Sequence, residues 1–142
     1  MKRLRSYIPA IAITLLIPLL SLINPDKLPD ASALDFAGLD KIIHMIMYAV
    51  LTIAWIFALP PRIHANLRWI LTLVFLTSLY GMLLEICQFF FTVSRSMDML
   101  DALANLAGAM VAAMAIYGIS KLKSVDSSPG ESTRPTAPDL HN

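Results

Sequence analysis

The chain has 142 residues, 57% of them hydrophobic and 15% charged, with a net charge of +1 and a mean hydropathy of +0.67. That balance excludes an ordinary soluble domain, and the near-neutral charge gives no basis for nucleic-acid binding. It describes a small integral membrane protein of one domain, whose few charges inform by where they fall.

Lys2, Arg3 and Arg5 precede an uncharged run from Tyr7 to Ile23, long enough for a first transmembrane helix with its basic end in the cytoplasm. Pro9 lies in the first turn, where a missing N–H costs little, whereas Pro18 lies inside the helix and is expected to kink it. Ala31-Ser32-Ala33 matches a signal-cleavage pattern, but the apolar run is long for a signal and Asp26, Lys27 and Asp30 intervene, so the helix is read as retained. Residues 24–39, with Pro25, Pro29, Gly38 and the acids Asp26, Asp30 and Asp35, form a polar connection outside the cytoplasm.

A second span runs from Asp40, a cap or first-turn acid, to Leu59, where Pro60-Pro61 ends it. Arg62 and Arg68 mark a cytoplasmic connection, and Trp69 anchors the head of a third span that continues to Phe91. Cys87, the single cysteine, has no partner for an internal disulfide and is expected as a small packing residue in this span. A loop holding Arg95 and Asp98 leads to a fourth span from Asp101 to about Ile119, with Lys121 and Lys123 behind it. The residues from Leu122 onward are polar and Pro-containing, so residues 1–123 are read as the membrane domain and 124–142 as a disordered cytoplasmic tail.

The expected fold is all-α, a four-helix transmembrane bundle with short loops, packed through Thr77/Gly81 and Ala104/Gly108/Ala112. Seven basic residues (Lys2, Arg3, Arg5, Arg62, Arg68, Lys121, Lys123) fall on the expected inner side against three outside (Lys27, Lys41, Arg95), which places both termini in the cytoplasm.

With that topology the membrane-located polar residues gather at the outer end. Asp40, Lys41 and His44 open the second helix, with Tyr48 one turn further along the His44 face; Glu85 and Gln88 close the third; Asp101 and Asn105 open the fourth beside Arg95 and Asp98. Glu85 is the costliest of these, a carboxylic acid inside an apolar run, and it shares a face with Gly81 and Gln88. Each residue also has a structural reading: Asp40 and Asp101 as caps, Lys41 and Arg95 as interfacial anchors, Glu85 with Gln88 as an interhelical hydrogen-bond knot. Their convergence favours an outward-facing pocket.

Asp40-Lys41-x-x-His44, Gly81-x-x-x-Glu85-x-x-Gln88, Arg95-x-x-Asp98-x-x-Asp101 and Asn105-x-x-Gly108 together resemble the successive motifs of the VanZ-like membrane family, over roughly residues 40–119. The resemblance implies a small bundle of membrane helices in the bacterial inner membrane. The family takes its name from a protein of a glycopeptide-resistance cluster that lowers susceptibility to teicoplanin, so a cell-envelope role is implied.

The expected function is binding of a lipid-linked, cell-wall or glycopeptide-type ligand by that pocket, with membrane lipids as the surrounding partner. The alternative is a membrane enzyme in which Glu85 or His44 serves as acid or base on a lipid-linked substrate. A channel or transporter fits less well, because the ionisable residues cluster at one face. No nucleophile elbow, phosphate loop or recognised metal motif occurs; His44, Glu85 and Asp101 alone make a weak ligand set, and neither a cofactor nor a metal is assigned.

Overall fold

The computed structural model describes residues 2–21, 38–91 and 98–126. They form α1 (Lys2–Ser21), α2 (Leu39–Ala58), the single turn α3 (Pro61–His64), α4 (Leu67–Phe91) and α5 (Met99–Asp126), with no strand among the described residues. The chain is an all-α, multi-pass membrane protein. α2, α4 and α5 are long and apolar enough to cross a bilayer, while α1 carries a shorter apolar stretch, Leu4–Leu20. Phe75 and Val111 are 63% and 67% exposed near the middle of their helices; that surface is tolerable against hydrocarbon and costly against water.

α2 is the hub of the bundle, packing most extensively on α5 and also touching α1 and α4. The close approach of α2 and α5 depends on Gly108, because a Cβ there would collide with the backbone carbonyl of Met45. Ala109, Ala112 and Ala113 continue that buried face, whereas Ala104 is only half-buried. The small-residue stripe therefore keeps Gly108 and Ala112 and is widened by Ala109 and Ala113 beyond a strict four-residue repeat. Its apolar filling is Ile56, Ile70, Leu73 and Val74, flanked by Trp55, Leu59, Ile116 and Tyr117. A hydroxyl contact, Thr52 Oγ1 to Thr77 Oγ1 at 3.3 Å, ties α2 to α4.

Pro18 explains how α1 is held. Lacking an N–H, it leaves the Thr14 carbonyl without its helical partner, and the Tyr80 hydroxyl of α4 donates to that carbonyl at 2.5 Å. Trp55 of α2 donates to the Thr14 hydroxyl at 3.1 Å. A helix defect thus becomes the docking point for two neighbouring helices.

The helix ends differ modestly from expectation. Leu59 is extended and Pro60-Pro61 closes α2 as predicted, but Pro61 then starts the unforeseen turn α3, and the His64 ring caps the carbonyl of Ile56 at 2.7 Å. Asn66 caps α4 by accepting from the Arg68 N–H at 3.1 Å. Asp98 caps α5, accepting from the Leu100 N–H at 2.8 Å, so α5 starts ahead of Asp101. At its other end α5 continues through Asp126, which corrects the placement of Ser124 to Asp126 in a disordered tail: Ile119, Leu122 and Val125 extend the helical spacing beyond the membrane span. Cys87, expected to pack inside, is exposed on α4. The connection at 24–37, the tail from 127 and Arg95 lie outside the described residues.

Candidate functional site

The N-terminal turns of α2 and α5 meet the C-terminal half of α4, and this junction collects the polar residues. Asp40 is in the first turn of α2, where an acid opposes the positive helix end. It is exposed, Lys41 is half-buried, and His44 faces inward, as one helical turn per 3.6 residues requires. On α4, the four- and three-residue steps from Gly81 to Glu85 to Gln88 keep all three buried. On α5, Asp101 and Asn105 are one turn apart and buried.

Five ionisable or amide side chains are thereby withdrawn from solvent: His44, Glu85, Gln88, Asp101 and Asn105 are exposed by only 5%, 6%, 4%, 5% and 1%. The His44 ring lies between two carboxylates, with Nδ1 3.5 Å from Asp101 Oδ1 and Nε2 3.9 Å from Glu85 Oε1. Lys41 Nζ donates to Asp98 Oδ2 at 2.9 Å and to Asp101 Oδ1 at 3.4 Å. The Lys41 ammonium and the Leu100 N–H hold the Asp98 carboxyl below its ordinary range. Beneath this layer, Gly81 lets Tyr48 and Asn105 close in, for a Cβ on it would stand 2.8 Å from both. The structure therefore brings together Asp40, Lys41, His44, Glu85, Asp98, Asp101 and Asn105, with Gln88 buried on the Glu85 face; Arg95, the remaining expected member, lies outside the described residues.

Among the described residues Asp40, Glu85, Asp98 and Asp101 face one lysine, Lys41. Among the described residues two buried atoms, His44 Nδ1 and Asn105 Oδ1, find no hydrogen-bond partner, and neither does Ser78 Oγ on α4. Such atoms are uncommon in folded proteins and mark places where a further partner would be favoured.

Ser78 also marks a feature that sequence reasoning missed. A cavity of about 380 Å³ lies between α4 and α5, walled by Phe75, Leu79, Met82, Met99, Leu103 and Leu106, with Ser78, Glu85 and Asp98 contributing its polar atoms. Ser78 precedes Glu85 by two helical turns, a spacing that puts both on one face and could have signalled the connection. Physically the junction offers carboxylate acceptors and an ammonium donor at one end of an apolar slot, with the His44 ring between two acids.

The model of the VanZ/LLP1 family matches residues 3–121, covering all the described elements but the first residue of α1 and the last residues of α5. No curated protein and no solved structure matches the chain.

Proposed function

The chain belongs to the VanZ/LLP1 family, and from that premise we propose that it resides in the cytoplasmic membrane with both termini inside and binds an amphiphile at the outer end of its bundle. The polar head of a lipid-linked, cell-wall or glycopeptide-type molecule sits over Lys41, Glu85 and Asp98, and its hydrocarbon chain lies between α4 and α5. One observation carries this reading: Glu85 and Asp98 border the same 380 Å³ cavity as Phe75, Leu79, Met82, Leu103 and Leu106. The location of Arg62 and Arg68 at the opposite end of the bundle supports the outward orientation.

The test is saturable binding of a fluorescent N-acylated glycopeptide and of a lipid-linked disaccharide-peptide to the protein in nanodiscs. Leu79→Trp fills the slot and should weaken binding at least tenfold, while Val111→Trp, on a lipid-exposed face, should not. Equal binding by both variants contradicts the proposal.

A second reading is favoured by the position of His44 between Asp101 and Glu85 at 3.5 and 3.9 Å. This carboxylate–imidazole–carboxylate array suits general acid–base chemistry on the bound head group. It requires Glu85 to exchange a proton, so Glu85→Gln should abolish any turnover while leaving ligand binding measurable.

A further inference from the structure

We infer that Asp40, His44 and Asp101 form a binding site for a divalent transition-metal ion, Zn2+ or a close relative. Asp40 and His44 are one turn apart on α2, the spacing that sets two ligands on one helix face, and Asp101 reaches them from the first turn of α5. Ligand atoms of all three lie within 4.8 Å of one another. Donors at about 2.1 Å from a tetrahedral ion stand roughly 3.4 Å apart, and the remaining distance is closed by a turn of the exposed Asp40 side chain, which exchanges its present contact for the ion.

His44 supplies the independent indication. It is only 5% exposed, its Nδ1 forms no hydrogen bond with any described residue, and that nitrogen faces Asp101 Oδ1 at 3.5 Å. In neutral imidazole with its proton on Nε2, a lone pair there opposes a carboxylate, and a cation between them turns repulsion into ligation. The other ring nitrogen faces Glu85 Oε1 at 3.9 Å, the placement of the carboxylate that commonly orients a metal-bound histidine. Lys41 does not forbid the ion. Its shorter bond is to Asp98, 2.9 Å against 3.4 Å to Asp101, so an ion at Asp101 displaces only the weaker contact.

One imidazole with two carboxylates is a mixed nitrogen and oxygen set, which suits Zn2+ or Mn2+ better than Ca2+ or Mg2+. Both helices that supply ligands are held at their closest approach by Gly108, so the ion would clamp the α2–α5 junction. The site is independent of the amphiphile reading, since none of its three ligands depends on an occupied slot, and it is tested without added lipid.

Full-length protein in detergent, stripped with a chelator and desalted, is titrated with Zn2+, with metal content measured by mass spectrometry. One Zn2+ per chain is expected, held more tightly than Mn2+ and much more tightly than Mg2+. His44→Gln should lose stoichiometric binding, Asp40→Asn should weaken it at least tenfold, and Glu85→Gln should weaken it on the order of tenfold. Alanine at His64, Cys87 and His141 together should leave it unchanged. Because Asp40 is exposed, its variant remains decisive if His44→Gln fails to fold. Absence of saturable binding, wild-type affinity in Asp40→Asn, or loss of binding in the triple-alanine control overturns the proposal.

Discussion

At the residue scale, the buried polar layer is tolerable because its members face one another across three helices. Glu85 at 6% exposure would be prohibitive against lipid; beside His44 it contributes to an acid–imidazole pair. Glu85→Gln keeps shape and hydrogen-bonding capacity and removes the charge, so the protein should accumulate normally while losing amphiphile affinity by roughly tenfold, the value of a charge-assisted hydrogen bond. Glu85→Leu should lower detergent stability as well. Failure of both variants to accumulate would assign Glu85 to a structural knot instead. Packing makes a second prediction at this scale. Gly108→Ala places a methyl against the Met45 carbonyl and should cost about 1–3 kcal/mol in thermal unfolding, whereas Gly118→Ala, with nothing within 4 Å, should not destabilise.

At the element scale, the sequence announced most of the architecture through local signals. Apolar runs, Pro60-Pro61 and the polar flanks located α2, α4 and the start of α5 to within a few residues, because each signal acts within one helical turn of its own position, whereas α5 outruns the expected end near Ile119 and continues to Asp126. The convergence of His44, Glu85 and Asp101 was legible for the same reason, once the basic residues oriented the spans. What the sequence did not disclose depends on partners distant along the chain. Nothing local says that the carbonyl orphaned by Pro18 is met by Tyr80, 66 residues from Thr14. The apolar slot was harder to read because it is a space between two helices, and only the spacing of Ser78 and Glu85 on one face of α4 pointed to it. The docking of α1 predicts that Tyr80→Phe costs about 1 kcal/mol by stranding the Thr14 carbonyl, seen as a lower unfolding temperature in detergent. Trp55→Phe, removing the neighbouring bond to Thr14, should have a smaller effect, since the hydroxyl keeps its bond to the Ala10 carbonyl. Equal stability of Tyr80→Phe and wild type would show that α1 is held by apolar contact alone.

At the scale of the whole molecule, orientation and occupancy are linked, because an amphiphile from the outer leaflet reaches the polar layer only if that layer faces outward. In a Cys87→Ser background, single cysteines at Ser32 and Ser96 should react with an impermeant thiol reagent applied to intact cells, and one at Ala65 should not; labelling at Ala65 alone reverses the topology. Removal of residues 127–142 should leave membrane accumulation unchanged, since the packing of the described helices is complete by Asp126. The most direct measurement is the density between α4 and α5 in an experimental structure of the protein taken from its own membrane into nanodiscs, with a rigid antibody fragment as a fiducial. The account predicts an elongated molecule with its chain along Phe75, Leu79 and Leu106 and its head within hydrogen-bonding distance of Glu85, Asp98 or Lys41. A slot closed by its own side chains, with lipid density no stronger there than beside Val111, would contradict it.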